Sequence, residues 1–176
     1  MSVGRVLVVY DSRFGATRDI AEEISRSIRG VGLGTEVLSV GANPDLENYS
    51  AVVLGAPVYS GQLNTGLCDW VNKHADRLEL MPTAVFVVGA TMREDTPEVR
   101  AKLDTVLGQA ICDHPNLGSA APRGYFAGRV DPHKLIPQQR FVMKMAKLPS
   151  GDWVDLDVVH KWAIEIACKL VSRVSA

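Results

Sequence analysis

The sequence predicts a doubly wound α/β fold: a five-stranded parallel sheet in the order 2-1-3-4-5 with helices on both faces. Short apolar runs recur at residues 5–10, 37–40, 51–56, 83–89 and 124–127, each bounded by Gly, Pro, Asn or Asp. Between most of them lie stretches with a helical period. The strongest runs are continuous rather than alternating, as strands covered on both faces must be, and right-handed crossovers then put helices on each side.

The elements follow in order. Residues 5–10 form the first strand, and Ile20, Ile24 and Ile28, four apart, share one face of the helix after it. The strands at 37–40 and 51–56 come next, and a second helix starts near Asn64. The runs at 83–89 and 124–127 complete the sheet. A last helix is marked by Val159, Ala163, Ala167 and Val171, with Trp162, Ile166 and Leu170 beside them. The 176 residues suit a single domain, 1–176, with a basic insertion at about 129–151.

Composition excludes some functions. Hydrophobic residues make up 47% and charged ones 22%, and the net charge of -1 gives no general attraction to nucleic acid. Cys68, Cys112 and Cys168 stand far apart, which fits a reduced, cytoplasmic protein. The first residues lack the pattern of a signal peptide, and no run approaches the roughly 20 apolar residues that span a bilayer. His74 and His160 fall on predicted helices and His114 and His133 in loops, without spacing that gathers metal ligands.

In a sheet of this order the ligand sits where strands one and three diverge, so the loops after those strands should carry the chemistry. The first loop contains Ser12, Arg13, Phe14, Gly15, Ala16 and Thr17 and runs into a helix N-terminus, where unpaired N–H groups and the helix dipole favour a phosphate. Ser12 and Thr17 add hydroxyls, and Gly15 allows close approach or a positive φ. Plain helix capping by Ser12 or Thr17 is the other use of the same residues. The second loop contains Pro57, Val58, Tyr59, Ser60 and Gly61. Tyr59 can wall a flavin ring, and the Ser60–Gly61 peptide, free to turn over, can present its carbonyl to N5 of reduced flavin. An exposed tyrosine in a turn is the alternative. The two loops should meet, and together they point to FMN, with Gly89, Ala90 and Thr91 of the loop after strand four as further cofactor contacts.

Ser12-x-x-Gly15-x-Thr17 after the first strand and Gly55-x-Pro57-x-Tyr59-x-Gly61 after the third resemble the phosphate and first ring-contacting loops of flavodoxins. Glu47-Asn48-Tyr49, Val71-x-Lys73-His74-Ala75-x-Arg77-Leu78, Met81-Pro82 and Arg140-Phe141-x-Met143-Lys144 resemble, more closely, the flavodoxin-like family of menaquinone-dependent protoporphyrinogen oxidases. That resemblance implies an FMN oxidoreductase that oxidises protoporphyrinogen, a small-molecule substrate, and passes electrons to a quinone in haem biosynthesis. The loop after strand four departs from the flavodoxin pattern, because residues 89–97 contain no aromatic to form the second ring wall. It is also shorter than in the oxidase family. A flavodoxin-type electron carrier and a flavodoxin-like NAD(P)H:quinone reductase are the alternatives. Carriers are usually strongly acidic, and this chain is not. No catalytic side chain stands out, since a flavin carries the electrons itself.

Residues 129–151 show no clear strand and leave from the same sheet edge. Arg129, Lys134, Arg140, Lys144 and Lys147 are the candidate substrate or membrane contacts there. Residues 138–148 predict a short helix with Phe141, Met145 and Leu148 on one side and cations on another. Three uses are open to it: resting peripherally on the inner, anionic face of a membrane, touching a quinone, or packing its apolar side over the sheet edge.

Overall fold

The computed structural model describes residues 4–59, 61–111, 121–145 and 147–174. Its main sheet is built on β1 (Val6–Tyr10), which pairs in parallel with β2 (Thr35–Ser39) on one side and β3 (Ala51–Tyr59) on the other. β3 then pairs with β5 (Thr83–Gly89), and β5 with β6 (Arg123–Ala127), also in parallel. The two-residue β4 (Gln62–Leu63) folds back antiparallel on the end of β3. The long strands therefore stand in the expected order 2-1-3-4-5.

Alternate strand residues point to opposite faces, and this sorts the core into two layers. Leu7, Val9, Val52, Leu54, Val85 and Val87 meet Leu67, Trp70 and Val71 of α2 (Thr65–Lys73), Leu78 of α3 (Ala75–Leu78), and Leu103 and Leu107 of α4 (Pro97–Ile111). On the other face Val6, Val8, Val53, Ala84, Phe86 and Val88 meet Ile20, Ile24 and Ile28 of α1 (Ala16–Gly30). The helix α6 (Leu156–Val174) covers the same face with Val159, Ala163, Ile166 and Leu170. Phe86 sits between Phe126 and Trp162, with centroids 6.1 and 6.3 Å away. Gly55 makes room for it, since a Cβ there would lie 2.3 Å from the Phe86 ring.

Residues 129–151 do contain strand, contrary to the sequence reading. β7 (Arg129–Val130) pairs antiparallel with β8 (Gly151–Asp152), a ribbon too short to leave a periodic signature. Between its arms lie a 3₁₀ turn, Pro132–Lys134, and α5 (Pro137–Met145). β3 also runs three residues past its expected end. Cys68 is half-buried, and Cys168 lies on the exposed side of α6. Cys112 and His114 lie outside the described residues. Among the described residues no helix is long and apolar enough to cross a membrane, and no three His, Cys, Asp or Glu gather as metal ligands.

His74 stacks on Trp70 with centroids 4.6 Å apart, and among the described residues its buried Nε2 has no partner. Burial and the neighbouring Lys73 hold its pKa below the ordinary value of 6.5. The unfolded chain therefore takes up a proton that the folded one resists, so stability falls as pH drops below about 6.5 until the folded imidazole also titrates. Thermal midpoints measured from pH 7.5 to 5.5 should fall, and His74→Gln should flatten that fall. An unchanged slope in the variant would assign it to other groups.

Candidate functional site

The three parallel strands β1, β3 and β5 deliver their following loops to one edge of the sheet. The first loop is closed by its own residues. The Ser12 hydroxyl accepts from the Gly15 N–H at 3.1 Å, and Gly15, at φ 99°, makes the left-handed turn that starts α1. No side chain caps α1. The N–H groups of Ala16, Thr17 and Arg18 have no carbonyl one turn behind them in the helix and face outward from its positive end. Thr17 is 1% exposed, and its hydroxyl makes no hydrogen bond among the described residues. Thr17, packed at this uncapped helix N-terminus, adds a hydroxyl to the donor set a phosphate needs.

The second loop is a tight hairpin. Pro57, Val58 and Tyr59 continue β3, and Val58 and Tyr59 pair with Leu63 and Gln62. Gly61 supplies the positive φ, 75°, that the turn demands; Ser60 lies outside the described residues. The Tyr59 ring stands edge-on to Phe14 at 5.3 Å, and its hydroxyl accepts from the Arg13 N–H at 3.3 Å. Burial pushes the Tyr59 phenol above its usual pKa, so the hydroxyl remains protonated and can also donate. A second tie is Asn64 Nδ2 to Asp11 Oδ2 at 2.6 Å. The two loops are thus brought together by side chains of both.

Gly89, Ala90 and Thr91 complete the edge. Gly89 ends β5 beside Val58, while Ala90 and Thr91 belong to the 3₁₀ turn Ala90–Arg93. Sequence reasoning missed Trp153, whose ring lies under the Arg93 guanidinium at 5.8 Å. That places an aromatic from beyond the insertion beside the loop that has none of its own. Only Gly151, against which the indole packs, signals it locally, and that signal is weak.

The five basic candidates are not gathered at one point. Arg129 is bonded to Asp152 at 2.7 Å and to Asp19 of α1 at 3.1 Å, which pins the insertion to the first helix. Lys134 reaches the phosphate-type loop and donates to the Phe14 carbonyl at 3.2 Å. Arg140 donates to the Leu135 carbonyl, while Lys144 and Lys147 are exposed. The apolar side of α5 does not pack over the sheet edge. Phe141, Val142 and Met145 are exposed, as are Ile136 and Leu148 on either side, and only Gln139 and Met143 of α5 are half-buried.

Residues 7–156 match a family model described as a flavodoxin domain. The protoporphyrinogen IX dehydrogenase (quinone) of Escherichia coli strain K12 is 34% identical over 98 residues, 54% of this chain and 53% of that protein. The match spans about half the length of that relative. The rubredoxin oxygen:oxidoreductase of Desulfovibrio gigas is similar in structure, with a TM-score of 0.58 and 15% identity over 98% of this chain and 37% of that one. The flavodoxin of Streptococcus pneumonia TIGR4 has a TM-score of 0.56 and 19% identity, covering 94% of this chain and 99% of that one. These two likenesses speak for the fold.

Proposed function

This chain belongs to the flavodoxin domain family, and from that premise we propose that it is an FMN-dependent oxidoreductase that oxidises protoporphyrinogen and passes the electrons to a quinone. The observation that carries the cofactor is the meeting of the two loops, with Thr17 packed at the uncapped start of α1 where a phosphate would lie. The substrate class rests on the relative whose name states it, together with the basic insertion on the same edge. Bound FMN would take two electrons at a time from the substrate and give them up to the quinone, which is reduced to the quinol.

The chain's own residues bind and orient. The N–H groups at the start of α1 and the Thr17 hydroxyl would hold the phosphate, and Gly15 would let it approach the backbone. Tyr59 would wall the ring, Gly89, Ala90 and Thr91 would add contacts from the loop after β5, and Trp153, beside Arg93, would supply the aromatic that this loop lacks. The exposed apolar side of α5, flanked by Arg140, Lys144 and Lys147, rests on the anionic membrane surface from which a quinone is drawn. No acidic residue lies between Asp131 and Asp152 to oppose that contact. The near-neutral charge of the chain disfavours a dedicated electron carrier.

Purified protein should take up one FMN, and its flavin absorbance should bleach on anaerobic mixing with protoporphyrinogen and return on adding a menaquinone analogue. Failure to take up flavin sinks the whole reading, whereas uptake without bleaching favours the carrier. Deleting residues 138–148 should leave turnover with a water-soluble quinone intact. With a long-chain quinone in anionic vesicles it should lower turnover about tenfold or more, each lost surface cation contributing about 1 kcal/mol. Equal rates in vesicles would reject the membrane contact.

A further inference from the structure

We propose that Lys134 is a ligand of the cofactor phosphate, delivered by the insertion, so that phosphate binding and docking of the insertion on the first loop are one linked event. This rests on the FMN reading above.

The first loop has one cation of its own, Arg13, against the two negative charges of a phosphate dianion. Its nearest carboxylates, Asp11 and Asp19, lie on either side of it, and Arg18 is turned along the helix to Glu22 at 2.8 Å. A further cation arrives from 120 residues away in sequence. The Lys134 ammonium donates to the Phe14 carbonyl at 3.2 Å and lies 4.0 Å from where a Cβ on Gly15 would stand. Gly15 is the residue whose turn bares the N–H groups of α1, so the ammonium sits at the crown of the phosphate cradle. The bond to Phe14 uses one of its three protons, and two remain to donate. Thr17, 1% exposed and with no hydrogen bond to its hydroxyl among the described residues, stands two residues beyond Gly15 in the same first turn.

The insertion is built to hold Lys134 there. The β7–β8 ribbon fixes its root, and Arg129 bridges Asp152 to Asp19 on the first turn of α1. Asp131 then caps the 3₁₀ turn, accepting from the His133 N–H at 2.9 Å, while the Lys134 N–H bonds to the Asp131 carbonyl at 3.1 Å. The backbone of Lys134 is therefore fixed against the loop, leaving only its own side chain to order. A phosphate bridging the α1 N-terminus and this ammonium ties the insertion to the cofactor.

FMN and riboflavin, which lacks the phosphate, separate this role from a structural one. Full-length apoprotein would be titrated with each by flavin fluorescence at several salt concentrations. Lys134→Gln should weaken FMN binding about tenfold, as loss of a charge-assisted bond to an exposed group implies. It should flatten the salt dependence of FMN binding and leave riboflavin affinity unchanged. Lys102→Gln, an exposed lysine of α4, should alter neither. In the wild type, FMN but not riboflavin should protect residues 135–150 from limited proteolysis, and Lys134→Gln should abolish the difference. Equal losses for both flavins, or no loss for FMN, would overturn the proposal while leaving FMN binding in place. A wild type that takes up neither flavin overturns the cofactor reading, and this inference with it.

Discussion

Replacing Gly15 by valine should abolish retention of FMN while the sheet still folds. At φ 99° the residue occupies a region where a β-branched side chain is a steric outlier, with strain on the order of 1–3 kcal/mol. The chain relieves that strain by rotating the turn, which swings the N–H groups of Ala16 and Thr17 away from the position a phosphate must take. The added methyls also point toward the Lys134 ammonium, which lies 4.0 Å from the Cβ position. Affinity should fall on the order of 100-fold, the sum of misaligned hydrogen bonds and a blocked approach. Flavin fluorescence titration reads the loss, and an unaltered far-ultraviolet circular dichroism spectrum shows that the fold survives. Wild-type affinity in the variant would remove the first loop from the site.

Phe86→Ala should destabilise the fold by about 3–5 kcal/mol. Phe86 is fully buried at the middle of β5, with β3 and β6 on either side. Its ring fills the space left by the missing side chain of Gly55 and meets Phe126 and Trp162. These neighbours belong to strands and a helix held by their own pairings, so the cavity cannot collapse cheaply. Natural domains hold only about 5–15 kcal/mol in all, which makes this a large share. The midpoint of urea unfolding measures it. A shift worth less than about 1 kcal/mol would mean that the aromatic cluster is not a tight packing unit.

Most of the sheet was legible because its signal is local. Continuous apolar runs bounded by turn residues located the five long strands, and the four-residue spacing of Ile20, Ile24 and Ile28 located the face of α1 that is buried. β3 was read short because Pro57 looks like a strand terminator. It is tolerated because β1 ends opposite Gly55, so on that side no ladder bond awaits the missing N–H. β2 was placed two residues late at its start, since Thr35 and Glu36 carry polar side chains on a half-buried edge strand. The meeting of the two loops followed from the strand order alone. The contacts that join them, the Asn64 side chain with Asp11 and the Tyr59 hydroxyl with the Arg13 N–H, did not, since a contact between residues about 50 apart leaves no periodic trace. The same holds for Lys134 and Trp153, whose partners are set by where the insertion is rooted.

That root has one more consequence. Because β7 and β8 are side by side, the chain leaves the scaffold and returns to it at a single point, and the segment between behaves as an attachment on a closed port. Doubling the length of such a segment adds only about 0.6 kcal/mol of closure entropy. The scaffold can therefore accept longer, shorter or wholly different attachments at this port without re-packing its core, and reach can be altered independently of fold.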